Sequence, residues 1–416
     1  MSALSRHRTV AVFLAFAFAY FLSALIRAVT ATLAPVLTQE FSLHARDLGL
    51  LSGAYFLGFS LTQLPLGRWL DQHGPKRVIV CFLTVAVLGC LLFAAASGFS
   101  WLLAARVLCG VGLSACLMAP LTGYRRWFEP AAQMRANSWM LMTGSLGMIA
   151  ATLPVQWLMP LLGWRPLFVG LGALLSVAMA VILWQIPAWA NAGGTGTGAG
   201  AEADRASYRE IWRHPYFRAM APVGFFCYGG LLAIQTLWAA PWMVKVGNYS
   251  PLQAATGLFW INVAMLCTFW SWGMGSLWLA RNGFSAQRLI ARGLPLSFLI
   301  LAVTILSASY LPAWCGAMLA LYCVCCSVVT PSQPAIAMAF APELAGRALS
   351  AYNLVVFAGV FVIQWGIGLM IDGLLALGAS QLLSFQLAFA VYLGCGVLSY
   401  IFFLVTSSHN LQSDPT

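Results

Sequence analysis

Charge is what this sequence has least of. Asp, Glu, Lys and Arg make up 7% of its 416 residues, against 61% hydrophobic ones, a balance that no water-facing surface of this size tolerates. The acids are the scarcer sign, ten in all: Glu40, Asp47, Asp71, Glu129, Glu202, Asp204, Glu210, Glu343, Asp372 and Asp414. Every one falls in a loop or at the end of an apolar stretch. The five histidines, His7, His44, His73, His214 and His409, also lie outside those stretches. Acid or imidazole chemistry in the middle of a membrane is thereby excluded. A nucleotide-cradling GxxxxGK[ST] loop is missing, which argues against ATP-driven work, and no nucleophile, base and orienting acid can be assembled into an enzyme's site.

What is present is apolar length. Twelve stretches of about 20 residues, enough to cross a hydrocarbon core as helix, run from 9–37 to 381–406. The first is too long, and too closely followed by the second, for a cleaved signal peptide. The chain therefore reads as an all-α membrane protein. Of its 21 Lys and Arg, only Arg46, Arg165 and Lys245 fall in the loops of one face. Arg27 and Arg106 lie within spans, and the rest gather on the face that holds both termini. This asymmetry places the termini in the cytoplasm and accounts for the net charge of +11 without nucleic acid. The eleven cysteines all lie in spans and read as reduced core residues. The run Cys323, Cys325, Cys326 has no His or carboxylate beside it, so no metal is expected, and no cofactor.

A Gly-rich segment, NAGGTGTGAGA from Asn191 to Ala201, cannot bury an apolar face and divides the chain. The expected organisation is an N-terminal six-helix bundle over 1–190, a cytoplasmic linker over 191–215 and a C-terminal six-helix bundle over 216–416. Residues 208–217 are either a short surface helix or a solvated tail. The halves repeat: Phe128, Pro130, Arg135, Ala136 and Gly147 recur 212 positions on as Phe340, Pro342, Arg347, Ala348 and Gly359. Tyr20 recurs as Tyr228, which sets Gln235 opposite Arg27. Two parallel repeats imply pseudo-twofold symmetry with a path between them.

After the second span the sequence reads Gly67-Arg68-Trp69-Leu70-Asp71-Gln72-His73-Gly74-Pro75-Lys76-Arg77, and in the fourth Arg106-Val107-Leu108-Cys109-Gly110-Val111-Gly112. The fifth carries Gly144, Gly147 and Pro154. These motifs resemble those of the major facilitator superfamily, and the resemblance runs over essentially the whole chain. Gln72 and Pro75 depart from the pattern, and in the second half Ala280 stands where Asp71 does, so one working loop is expected. The resemblance implies a twelve-helix fold of two pseudo-symmetric bundles and a secondary transporter. Asp71, at the cytoplasmic end of the second span, can accept hydrogen bonds from the start of a neighbouring helix or pair with Arg77, Arg125 or Arg126. Gly67, Asp71, Gly74, Lys76 and Arg77 therefore read as a conformational latch, the alternative being an ordinary solvated loop. The resemblance implies that Arg106, Gly110 and Gly112 are structural or coupling residues.

The substrate reading rests on polarity at depth. An arginine mid-membrane costs about 2.5 to 3.5 kcal/mol even on insertion scales. Tyr20, Ser23, Arg27 and Thr30 are spaced by three, four and three, which puts them on one helix face. Gln156, Gln235, Trp238, Asn262 and Gln364 fall at similar depth in other spans. A fixed positive group with no intramembrane acid favours an anion, organic or inorganic, as the solute. Export of drugs, siderophores or other amphiphiles is the alternative within transport; a lipid-acting enzyme and a receptor or scaffold are the alternatives outside it. Short loops and the lack of an organellar presequence point to a bacterial inner membrane and a monomer whose partners are solute and lipid.

Overall fold

The structure is a computed structural model that describes residues 5–187, 208–282 and 284–412. The Gly-rich linker segment lies outside the described residues. Thirteen helical segments position the side chains discussed below: α1 Arg6–Phe41, α2 Ala45–Leu61, α3 Gln63–Ala94, α4 Phe99–Trp127, α5 Pro130–Ala150, α6 Leu153–Leu162, α7 Trp164–Gln185, α8 Pro215–Lys245, α9 Pro251–Arg281, α10 Ala286–Ser307, α11 Pro312–Met338, α12 Pro342–Ala376 and α13 Gln381–Gln412. A further short helix covers 208–213, with Ile211 buried, and stops before Pro215.

Among the described residues ten helices are long and apolar enough to cross a membrane, or eleven if α5 and α6 are one span bent by 43°. The twelve expected stretches all map onto helix. The difference in number arises at α2, which has 17 residues, and at α3, which takes in the end of the second stretch, 48–70, and most of the third, 78–96. Within α3 the chain turns a corner at Gly74, whose φ of 75° and ψ of 162° lie outside helical space. A side chain with a Cβ rarely adopts that φ, and Pro75 pre-sets the first turn beyond it. The bend between α5 and α6 falls just ahead of Pro154, whose ring cannot continue an unbroken ladder.

Contacts group the chain into two units. One comprises 1–43, 54–192 and 250–273, the other 44–53, 193–249 and 274–416. In the first, α3 packs against α4 and α7, and α1 against α5 and α7. In the second, α8 packs against α12 and α13, and α10 against α11 and α13. The corresponding pairs of helices meet in each unit. Gly147 of α5 lies against the Phe21 carbonyl of α1, and its counterpart Gly359 of α12 lies against the Phe225 carbonyl of α8. The second contact lies four residues from the register that Tyr20 and Tyr228 set. Both glycines allow backbones to approach where a methyl group would collide, the small-residue packing by which apolar helices associate in lipid.

Two polar clusters hold helix ends. Glu40 accepts the Trp164 indole N–H at 2.7 Å and pairs with Arg165 at 2.7 Å; Arg165 also lies over the Trp164 ring and donates to the Ala96 carbonyl. In the second unit Asp372, near the end of α12, accepts the backbone N–H groups of Ala45 and Arg46 at 3.1 and 2.9 Å. A carboxylate there answers the partial positive charge of the start of α2. Arg46 and Arg165, two basic residues of the sparsely charged face, are thus matched by acids.

Candidate functional site

In the first unit the polar face of α1 meets α4 and α5. Arg27 is half-buried. Its Nη2 reaches the Met148 sulfur at 3.9 Å, while its Nε is buried without a hydrogen-bond partner. Around it, Tyr20 is buried with its ring against Gly144, Ser23 is buried with its hydroxyl 3.4 Å from the Leu113 carbonyl, and Thr30 is buried. The structure therefore keeps these four residues of α1 on the inward side of the helix. Gln156, on α6 beyond the bend, is half-buried and makes no hydrogen bond to Arg27.

Arg106 is fully buried on α4. One Nη donates to the Ile26 carbonyl at 2.9 Å, and the guanidinium carbon lies 4.9 Å from the centre of the Tyr55 ring, a cation–π contact. Its Nε and other Nη have no hydrogen-bond partner. Gly110, one turn on, lets α4 sit directly on the Tyr55 carbonyl, and Gly112 abuts the backbone of Ala86. Tyr55 is a residue the sequence reading passed over. It is buried, its hydroxyl is unpartnered, and it stands within electrostatic range of both Arg27 and Arg106. The signal was a single phenol in the apolar run Ala54–Tyr55–Phe56, which resembles any aromatic facing lipid. The resulting arrangement has two guanidiniums and a hydroxyl with donors to spare, and no acid among the described residues around them. Chemically it can hold negative charge.

The remaining candidates behave differently. In the second unit the Trp238 indole donates to the Gln364 carbonyl at 3.0 Å, and the Gln364 amide donates to the Thr236 hydroxyl at 3.0 Å. Both side chains are fully buried, so they tie α8 to α12. Gln235 is buried beside them, in a wide π turn over Ile234–Trp238. Asn262 is buried on α9 and donates to the Leu258 carbonyl one turn back. A second missed group links Tyr228 to Gln333 at 3.4 Å and Gln333 to Asn353 at 2.8 Å.

Of the expected latch, Asp71 is exposed at the end of the first arm of α3, Gly67 is half-buried, and Gly74 makes the corner. Beyond the corner the Lys76 ammonium donates to the Ile186 carbonyl at 2.9 Å, closing the end of α7, and Arg77 is exposed.

A sequence model described as Major Facilitator Superfamily matches residues 16–364. The chain belongs to the Major Facilitator Superfamily. Its whole fold is that of the superfamily's solved structures. A bacterial homolog of the human lysosomal transporter Spinster, inward-facing and unoccupied, superposes with a TM-score of 0.77 at 20% identity, covering 99% of this chain and 100% of the other. A D-xylose–proton symporter superposes with a TM-score of 0.74 at 13% identity, covering 95% and 97%. Among curated relatives, the 4-hydroxybenzoate transporter PcaK of Pseudomonas aeruginosa is 31% identical over 163 residues, 39% of this chain and 36% of its own length. The probable sulfoacetate transporter SauU of Cupriavidus necator is 24% identical over 251 residues, 57% of each. The chain thus spans little more than a third of the length of the first of these relatives. As a superfamily member with these apolar helices, it is a multi-pass integral membrane protein.

Proposed function

We propose that this protein is a secondary active transporter that moves a small organic or inorganic anion across the membrane by alternating access. The observation that carries the reading is the Arg27 guanidinium, half-buried among Tyr20, Ser23 and Thr30 with its Nε unpartnered and no acid beside it. Arg27 stays protonated at any working pH. A charge so placed is stabilised by an anion, each charge-assisted hydrogen bond contributing about 1.5 to 3 kcal/mol. The Tyr55 hydroxyl, in range of the same charge, supplies a second donor. The relatives support the reading, because 4-hydroxybenzoate and sulfoacetate, named for two of them, are both anions at neutral pH.

In this reading the two six-helix halves, 1–190 and 216–416, exchange access about the linker at 191–215, and Asp71 with Gly67, Gly74, Lys76 and Arg77 latches one conformation. Gln156 and Asn262 are further candidates along the solute's path in the first unit, whereas Trp238 and Gln364 tie α8 to α12 in the second, with Gln235 buried beside them. The termini face the cytoplasm of a bacterial cell, and one chain suffices. The test is uptake into proteoliposomes of radiolabelled 4-hydroxybenzoate, sulfoacetate and phosphate, with a cationic dye and xylose in parallel. Saturable flux of at least one anion is expected, in the parent and not in Arg27→Gln. Flux of the cation alone would sink the reading.

A further inference from the structure

The corner of α3 builds a second feature besides the proposed latch. Because the chain reverses at Gly74, the end of the first arm and the start of the second face each other: the Trp69 and Phe82 rings meet edge to face at 5.7 Å. Together with Leu183 of α7 they wall a groove of about 690 Å³. Trp69 keeps 38% of its surface exposed and Leu183 keeps 49%, so the groove opens on the outer side of the helices rather than into the unit.

One end of the groove is cationic. His73, Lys76 and Arg77 line it, with no carboxylate among the described lining residues, Asp71 standing exposed at the same corner. Lys76 donates to the Ile186 carbonyl and retains two N–H donors, since an ammonium carries three. Arg77 is exposed and forms no ion pair among the described residues. A cationic rim at the end of two spanning helices, continuous with an apolar wall that runs down them, has the polarity of an anionic amphiphile: phosphate at the rim, chain along the wall. A tryptophan at that junction is where the interface places one. Free phosphate leaves the wall unused. A zwitterionic lipid brings its own cation to the rim and gains no net attraction there.

We infer that this groove is a binding site for an anionic glycerophospholipid, with Lys76 and Arg77 on the phosphodiester and Trp69, Phe82 and Leu183 against an acyl chain. The inference needs the helices to span a bilayer and is independent of which side the termini occupy. Lys76 and Arg77 also figure in the latch, so the readout is lipid retained, not solute moved.

The experiment is native mass spectrometry of the full chain in detergent, titrated with phosphatidylglycerol or with phosphatidylcholine of the same chains. The parent is expected to retain phosphatidylglycerol several-fold better than phosphatidylcholine. Arg77→Gln should lower phosphatidylglycerol retention roughly five-fold, the effect of one interfacial charge, and Arg77→Lys should restore it. Trp69→Ala should weaken both lipids, and Arg292→Gln, an exposed charge on α10, should change neither. Size-exclusion profiles identify any variant that fails to fold, and for those the lysine rescue decides. Equal retention of the two lipids by the parent would overturn the proposal. So would undiminished retention by a folded Arg77→Gln, or displacement of the lipid by 10 mM inorganic phosphate, which marks an ion site without a lipid wall.

Discussion

At the scale of single residues, the two arginines within the spans differ in their surroundings. Arg27 has an unpartnered nitrogen and a half-buried position, whereas Arg106 is fully enclosed, with one bond to Ile26 and the Tyr55 ring beneath it. Removing the first should affect ligand more than fold. Arg27→Gln is expected to weaken anion binding about ten- to a hundred-fold, the loss of one charge-assisted bond. Arg27→Lys should fall between, keeping charge but losing the planar fork. Isothermal titration of each variant reads this directly. Arg106→Ala empties a packed site and should destabilise the fold by about 3 kcal/mol, measured as thermal unfolding in detergent. Tyr55→Phe separates the two roles: the ring beneath Arg106 stays, so stability should hold, while loss of the donor should weaken anion binding several-fold. A Tyr55→Phe protein that melts early but binds normally would make Tyr55 a purely structural residue.

At the scale of elements, stability depends on close backbone approaches. Gly49 of α2 lies against the Gln364 carbonyl of α12 and Gly368 against the Ala45 carbonyl, and Asp372 caps the same end of α2. All three contacts belong to the second unit. Asp372→Ala should cost about 1 kcal/mol, as loss of a helix cap does. Gly49→Val should cost more, since a side chain there collides with backbone that has no rotamer to yield. Both are checked by melting temperature, and an unshifted Gly49→Val would mean that α2 and α12 are not held at this distance in solution. The α3 corner carries a different expectation. In the latch reading, Asp71→Asn slows transport while anion affinity stays within a few-fold, and equal rates in proteoliposomes would return Asp71 to an ordinary exposed loop residue.

At the scale of the whole molecule, what the sequence reveals depends on how local the cause is. The helices were legible because each is its own apolar run. The two π turns of α8, over Gly224–Tyr228 and Ile234–Trp238, were not. The site shows the same division. Tyr20, Ser23, Arg27 and Thr30 share a face because helix geometry puts them there, whichever helices surround them. Tyr55 escaped notice because its significance comes from α4, which brings Arg106 over its ring. Gln364 and Trp238 look like solute ligands at the right depth, yet their mutual contact is set by the pairing of α8 with α12. The account thus stands on one claim: the face of α1 centred on Arg27 binds an anion. The most direct measurement is the thermal stability of the purified chain against a panel of carboxylates, sulfonates and phosphates, with organic cations and sugars alongside, in the parent and in Arg27→Gln. Ligand that binds the folded state raises the melting point by mass action. Stabilisation of the parent by one or more anions, absent from Arg27→Gln, is expected. Stabilisation by cations or sugars alone, or an equal shift in both proteins, would contradict it.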